Sequence, residues 1–324
     1  MMRVDTATFP RSQMCYLNRI VYLGMLLFGA SLLWATTSWA QQAANIYIGG
    51  SAGISRSPGV SMVGDSNDRS SICDEFINPL YAALSQCTVP NRGEGDSWTV
   101  PFDGTGGAFG SMFAGYRFSP LLRAELEYIL RVSNYGERSP VTTAQGVNAD
   151  KLSDELFLAE EWLGSVSMFG FFANVHFDLY MIKSPVLPYL GVGVGFGNTK
   201  VDYGSVWSRS PDPRDIRTGR DQPNADEIVS NLAGVASSGH ATMQETLLTL
   251  QVIAGGEYFV GEKIAFDLRA RFMLSQEFEG RIVWDPLRSH VPNLRRDGSE
   301  PVDGLMTTDD FSALVLSFGM KYYF

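Results

Sequence analysis

The sequence predicts an all-β fold: an eight-stranded antiparallel barrel, apolar on its outer wall and charged within. Three observations carry this. Eight stretches of about ten or more residues alternate apolar with small or charged side chains. The links joining them are alternately very short and very long. The chain also opens with an export-type leader, and its 324 residues carry 33 glycines and a formal net charge of -10.

The leader comes first. Arg3, Arg11 and Arg19 precede the apolar run "IVYLGMLLFGASLLW", and "ATTSWA" sets Ser38 and Ala40 at the spacing of a cleavage site. That layout is a secretory signal peptide, so residues 1–40 are expected to be removed and 41–324 to form one barrel domain. Cys15 lies before the apolar run and is not placed for lipid attachment. The two remaining cysteines, Cys73 and Cys87, read as a disulfide in an exported chain. It would close a loop of about 15 residues and contribute about 3 kcal/mol. Zinc is the weaker alternative, because no histidine is near in sequence. Beyond the leader no stretch reaches the ~18 uncharged apolar residues of a spanning helix. The acidic balance, without a basic stripe, excludes a nucleic-acid partner.

The first segment is "NIYIGGSAGIS"; the second, "AFGSMFAGYRF", is the least regular, with Phe109 and Phe113 falling opposite Tyr116 and Phe118. In "LLRAELEYILRVSN", Leu122 through Val132 at even positions oppose Arg123, Glu125, Glu127, Ile129 and Arg131. In "MFGFFANVHFDLYM", Phe169, Phe171 and Phe177 oppose Asn174, His176 and Asp178. "VLPYLGVGVGFGNTKVDYG" puts Gly191, Gly193, Gly195 and Gly197 on one face, where they admit bulky neighbours and let the wall bend. "LLTLQVIAGGEYFV" follows, and then "IAFDLRARFMLSQE" sets Phe266, Leu268 and Phe272 against Asp267, Arg269 and Arg271. The last segment carries Leu314, Leu316, Phe318, Met320, Tyr322 and Phe324 on one face. Alternate residues of an extended chain share a face, so each segment is apolar on one side only.

Segments two and three are joined through "SP", four and five through "KSP", six and seven through "GEK"; the other links span roughly residues 56–107, 135–164, 205–246 and 279–311. Tight turns at one end and long loops at the other are the pattern of a barrel closed in a lipid bilayer. Phe324, Tyr322, Phe118, Tyr116, Tyr180 and Tyr258 fall near the short-turn end, where an aromatic girdle belongs. The opposite faces bring Arg117, Arg123, Arg131, Arg269, Arg271 and Lys321 together with Glu125, Glu127, Asp178, Glu257, Asp267 and Glu277. Eight strands leave room for little more than side chains, and charges held there should pair. A plugged lumen is expected; a small porin is the alternative if more strands join the wall.

"SFGMKYYF" resembles the C-terminal sorting signal of Gram-negative outer-membrane barrels, with Ser317, Gly319, Tyr322 and Phe324 in the pattern positions. "FAGYRFSPLLRAELEY" and "FANVHFDLYMIKSPVLPYLGVGVGFG" resemble the opacity-type, OmpA-like family of small barrel domains. The resemblance covers most of the wall and none of the loops. It implies a cell outer membrane location, recognition by the barrel-assembly machinery, contact with outer-membrane lipid and lipopolysaccharide, and a host or cell-surface ligand at the loops.

Function is therefore expected to be structural or one of surface interaction. An enzyme alternative, such as lipid modification, rests on Asn174, His176 and Asp178 sharing a lumen face, where a histidine beside a carboxylate could activate a serine. The expectation is that the same residues form an interior hydrogen-bonded network. In the loops, "NADKLSDELFLAEEWLG" spaces Leu152, Leu156, Ala159 and Leu163 for a short amphipathic helix. "SRSPDPRDIRTGRDQPNADE" is expected to be mobile. Asp303, Asp309 and Asp310 could hold a divalent cation, although a solvated acidic face is the readier reading; no cofactor motif appears.

Overall fold

The computed structural model describes residues 45–66, 71–87, 97–138, 142–143, 155–180, 185–284, 304–309 and 311–324. The expected leader, residues 1–40, lies outside these. The strands are β1 (Asn45–Ser57), β2 (Val60–Ser66), β3 (Ser97–Phe102), β4 (Thr105–Arg117), β5 (Leu122–Asn134), β6 (Glu137–Arg138), β7 (Thr142–Thr143), β8 (Leu156–Asp178), β9 (Val186–Arg209), β10 (Ala236–Val260), β11 (Ile264–Ser275), β12 (Glu279–Ile282), β13 (Gly304–Thr308) and β14 (Ser312–Tyr323). One helix, α1 (Ala225–Leu232), lies between β9 and β10.

Eight of these strands close a barrel in the order β1-β4-β5-β8-β9-β10-β11-β14, with β14 returning to β1. Every pairing is antiparallel, so each backbone group in the wall finds its partner in a neighbouring strand and no edge meets lipid. The period-two pattern decides which side chains turn out. Ile54, Met112, Leu126, Phe171, Phe196, Val252, Leu268 and Phe318 are all exposed on the outer wall. Tyr116, Phe118, Tyr258, Tyr322 and Phe324 are exposed at the short-turn end, as the girdle requires. In one of those turns Gly261 takes a φ of 74°, a left-handed conformation that glycine adopts without steric cost.

Strands β8, β9 and β10 run to 23, 24 and 25 residues. At ~3.3 Å per residue each is roughly 75–80 Å long, far more than the ten or so residues a bilayer needs. The surplus corrects the helix expected around Leu152–Leu163. Residues 156–163 are strand, hydrogen-bonded to β9 from Leu156↔Arg209 to Leu163↔Tyr203, with a register shift between Leu163 and Val166. A helical face of leucines loses to a ladder that buries Glu161, Leu163 and Val166. Leu152 lies outside the described residues.

The long links also hold a second sheet, ordered β12-β13-β2-β3-β7 and antiparallel throughout. Its inward residues Val60, Met62, Trp98, Val100, Phe102, Ile282 and Met306 share one buried cluster with Leu163, Val166, Val201, Tyr203, Met243 and Leu247 of the extended wall. The extracellular part is thus two sheets facing each other across an apolar core. A smaller core of Ile77, Ile216, Ile228, Val229 and Leu232 joins α1 to the segment containing Cys73 and Cys87. Those cysteines are bonded at 2.08 Å. The segment expected to be mobile is therefore built in: Ile216 is fully buried, Ser210 Oγ donates to Asp215 at 2.7 Å, and the Asn231 amide donates to the Ile77 carbonyl at 2.9 Å.

Candidate functional site

Inside the wall the charges that the alternation turned inward meet each other. At the short-turn end Glu257 is the hub. Lys321 Nζ and Arg123 Nη1 both reach its Oε1, and the Tyr323 hydroxyl donates to Oε2 at 2.9 Å. Arg123 and Arg117 also face Asp178, at 3.4 and 3.5 Å. One layer higher, Arg269 spans Asp267 and Glu125, at 2.8 Å to each. Tyr189 and Tyr47 donate to the same two carboxylates. Above that, Arg271 Nη1 holds both oxygens of Glu127 at 3.0 Å. The Asn174 amide donates to Glu127 at 3.0 Å, and Gln251 donates to Asn174 at 2.7 Å. A buried ion is tolerated when paired, and each of these meets an opposite charge, while Asp178 and Nε and Nη2 of Arg123 and Arg271 make no hydrogen bond of their own.

Aromatic faces fill the space between. The Arg123, Arg269 and Arg271 guanidinium carbons lie 4.4, 4.8 and 4.5 Å from the ring centroids of Tyr189, Phe113 and Phe109. Such contacts add attraction as well as bulk. They explain the irregular segment β4, whose Phe109 and Phe113 point inward beneath arginines. The glycine row of β9 makes the packing possible: a Cβ on Gly193 would stand 2.0 Å from Asn174 Oδ1. Over the ion layers Phe109, Ile129, Met168, Phe172, Met273 and Val315 form an apolar lid.

Of the expected lumen residues, Arg123, Glu125, Glu127, His176, Asp178, Asp267, Arg269 and Arg271 come together. Arg131 stands apart at the extracellular end, donating to Ser57 Oγ at 2.8 Å. Glu277 is corrected: it is exposed past the end of β11, where the chain instead turns Phe278 inward. The enzyme constellation does not assemble. His176 is completely buried, 3.6 Å from Glu125 and edge-on to Tyr189, while Asp178 is taken up by arginines. Of the sorting-signal positions, Ser317 and Gly319 face inward while Tyr322 and Phe324 stack edge-to-face outside, 5.3 Å apart. Asp303 and Asp310 lie outside the described residues, and among those described no cluster of three metal-ligating side chains occurs.

The extracellular core holds a group the sequence did not flag. Glu161, fully buried, accepts from Trp207 Nε1 on Oε1 at 3.0 Å and from Trp98 Nε1 on Oε2 at 3.1 Å. The Tyr203 hydroxyl also donates to Oε2. Burial pushes its carboxyl up to about 7 against the pull of these three donors. Trp98 belongs to the second sheet and Tyr203 to the wall, so one carboxyl ties the two sheets. On the outside, His240 Nε2 meets Asp202 at 2.6 Å, half exposed.

A family model for the outer membrane protein beta-barrel domain matches residues 25–324. Among curated proteins no relative matches in sequence. Among solved structures, the Neisserial surface protein A matches at 13% identity and TM-score 0.36, over 87% of this chain and 100% of that one. The outer membrane protein OprG from Pseudomonas aeruginosa matches at 13% and 0.44, over 87% and 97%. The outer membrane protease OmpT from Escherichia coli matches at 9% and 0.27, over 90% and 99%.

Proposed function

Because the chain belongs to the outer membrane protein beta-barrel domain family, we propose that it is a surface-interaction scaffold: a plugged barrel that carries a folded extracellular platform for binding a ligand at the cell surface. The carrying observation is that the extracellular mass has a core and a disulfide of its own, while the lumen beneath is filled by ion pairs and an apolar lid. Rigid scaffolds bearing shaped loops are the usual seat of recognition. In this reading residues 1–40 direct export and are cleaved. The strand ending in Phe324 is handed to the barrel-assembly machinery, and the outer wall rests among outer-membrane lipid and lipopolysaccharide. The filled lumen argues against a small porin, and the inaccessible His176 against a lipid-modifying enzyme.

The test is conductance of the purified protein in planar bilayers, paired with protease mapping on intact cells. The reading expects no stable unitary steps and cuts confined to the long-link end. Large reproducible steps would replace it with the porin reading.

A further inference from the structure

The long strands continue past the lipid, and their outward face changes character there. On β9 the exposed outward residues Leu190, Val192 and Phe196 are apolar. Beyond them come Asn198, Lys200, Asp202 and Gly204, opposite Thr246, Gln244, Thr242 and His240 of β10. Polar side chains belong in water, so Phe196 marks the upper limit of the lipid band on this strand. Gly204 stands eight residues further along, roughly 26 Å of strand at ~3.3 Å per residue.

In that polar field one large aromatic side chain lies on the outside. Trp162, Gly204 and His240 form one row across β8, β9 and β10. The Trp162 indole lies over Gly204, with Cζ2, Cε2 and Nε1 at 2.1, 2.2 and 2.6 Å from where a Cβ would stand. Any larger residue there would lift the ring from the sheet. The ring stays partly exposed, while Glu161 and Leu163 on either side of it turn inward and are buried. Next to it, His240 Nε2 meets Asp202 Oδ1 at 2.6 Å, the side chains being 57% and 36% exposed. Asp202 Oδ2 overhangs Gly164, 2.6 Å from that residue's Cβ position, and Thr242 Oγ1 stands 3.5 Å from Oδ1. The pair is thus fixed on a rigid sheet and leaves Asp202 Oδ2, His240 Nδ1 and the Thr242 hydroxyl for a ligand.

An aromatic face edged by a carboxylate, an imidazole and a hydroxyl matches the chemistry of a sugar. A pyranose offers an apolar face of C–H groups to a ring and a rim of hydroxyls that both donate and accept. Adjacent strands lie about 4.8 Å apart, so Trp162 and His240 are separated by about 10 Å, within reach of a short oligosaccharide.

We infer that Trp162, Asp202, His240 and Thr242 form a saccharide-binding face, and that it holds the oligosaccharide head of a glycolipid in the surrounding outer leaflet. Its position commits it to that source. The face lies on the flank of the extended strands, continuous with the lipid-facing wall below, where the heads of neighbouring lipids stand. A glycan on another surface would meet the tip first. Lys200, on the same face and nearer the lipid, leans over Phe169 with Nζ 5.8 Å from the ring centroid, and offers a cation to an acidic group on the same head. The inference rests on the membrane placement in the reading above and names the part of the wall that holds the lipid's sugars.

The experiment uses the full barrel domain in detergent and two probes. One is the oligosaccharide released by mild acid from lipopolysaccharide of the native outer membrane; the other is a panel of glycans absent from that membrane. Binding is titrated by saturation-transfer NMR. The wild type should bind the first probe and not the second. W162A and D202N should each weaken binding at least about tenfold. W162F, which keeps a ring, should retain most of it, and all three variants should keep the heat-resistant gel mobility of the wild type. Should W162A fail to fold, D202N, which preserves the size of the side chain, still decides. No binding of the lipopolysaccharide oligosaccharide, undiminished binding by D202N, or binding of the second panel alone would overturn the inference. Each of those results leaves the conductance test of the scaffold reading untouched.

Discussion

Glu161→Gln tests whether the extracellular sheets are joined through one titrating carboxyl. The buried acid titrates at about 7, against an ordinary 4.5. A folded-state value above the unfolded one means that the folded protein binds the extra proton between these limits. Stability is therefore complete below about 4.5 and is lost as pH rises toward 7. A difference of about 2.5 units at about 1.36 kcal/mol each is roughly 3 kcal/mol. Glutamine is neutral at every pH, so the variant should lose the slope, at a level below the low-pH wild type because its amide nitrogen cannot accept from the donor it faces. Trp98 and Trp207 provide the assay, since their indole N–H groups both donate to Glu161. Hydrogen exchange at those protons, corrected for intrinsic rate, should lose about two orders of magnitude of protection between pH 4.5 and 7.5 in the wild type. In E161Q it should stay flat. Equal protection at both pH values in the wild type, or the same slope in the variant, would show that the carboxyl does not govern the joint.

Lys321→Met leaves Glu257 short of one of its close cations, and should lower barrel stability in urea by about 3–5 kcal/mol with the extracellular layer intact; a loss under 1 kcal/mol would mean the lumen pairs are not coupled as described. Replacing Cys73 and Cys87 by serine opens a sequence separation of 14 and should cost about 3 kcal/mol locally. Proteolysis between these positions should appear while the heat-resistant gel mobility of the barrel is unchanged.

The membrane band was legible because lipid outside and packed charge inside enforce period two along most of the wall, as in Leu268 beside Arg269. The extracellular sheets were less so, for reasons visible in single residues. Leu156, Ala159 and Leu163 also fit a helix, and local spacing cannot know that β9 offers them a ladder. Trp98, Val100 and Phe102 do alternate, yet six residues between turns carry little signal until a partner sheet is known. Glu277 was assigned inward by extending a pattern two residues beyond Ser275, where the strand had already ended. Arg131 was recognised as interior, but that it meets Ser57 and no carboxylate among the described residues depends on register and could be seen only once β1, β4 and β5 were aligned.

The continuous ladder from Tyr258↔Val186 to Ala236↔Ser208 has a mechanical consequence. A pull on the tip of this pair, directed away from the cell, runs along both strands and loads in shear the ladders that join them to β8 and β11, many hydrogen bonds at once, instead of opening them one after another. Whatever seizes the tip of this molecule tugs on a mast stepped directly into the hull.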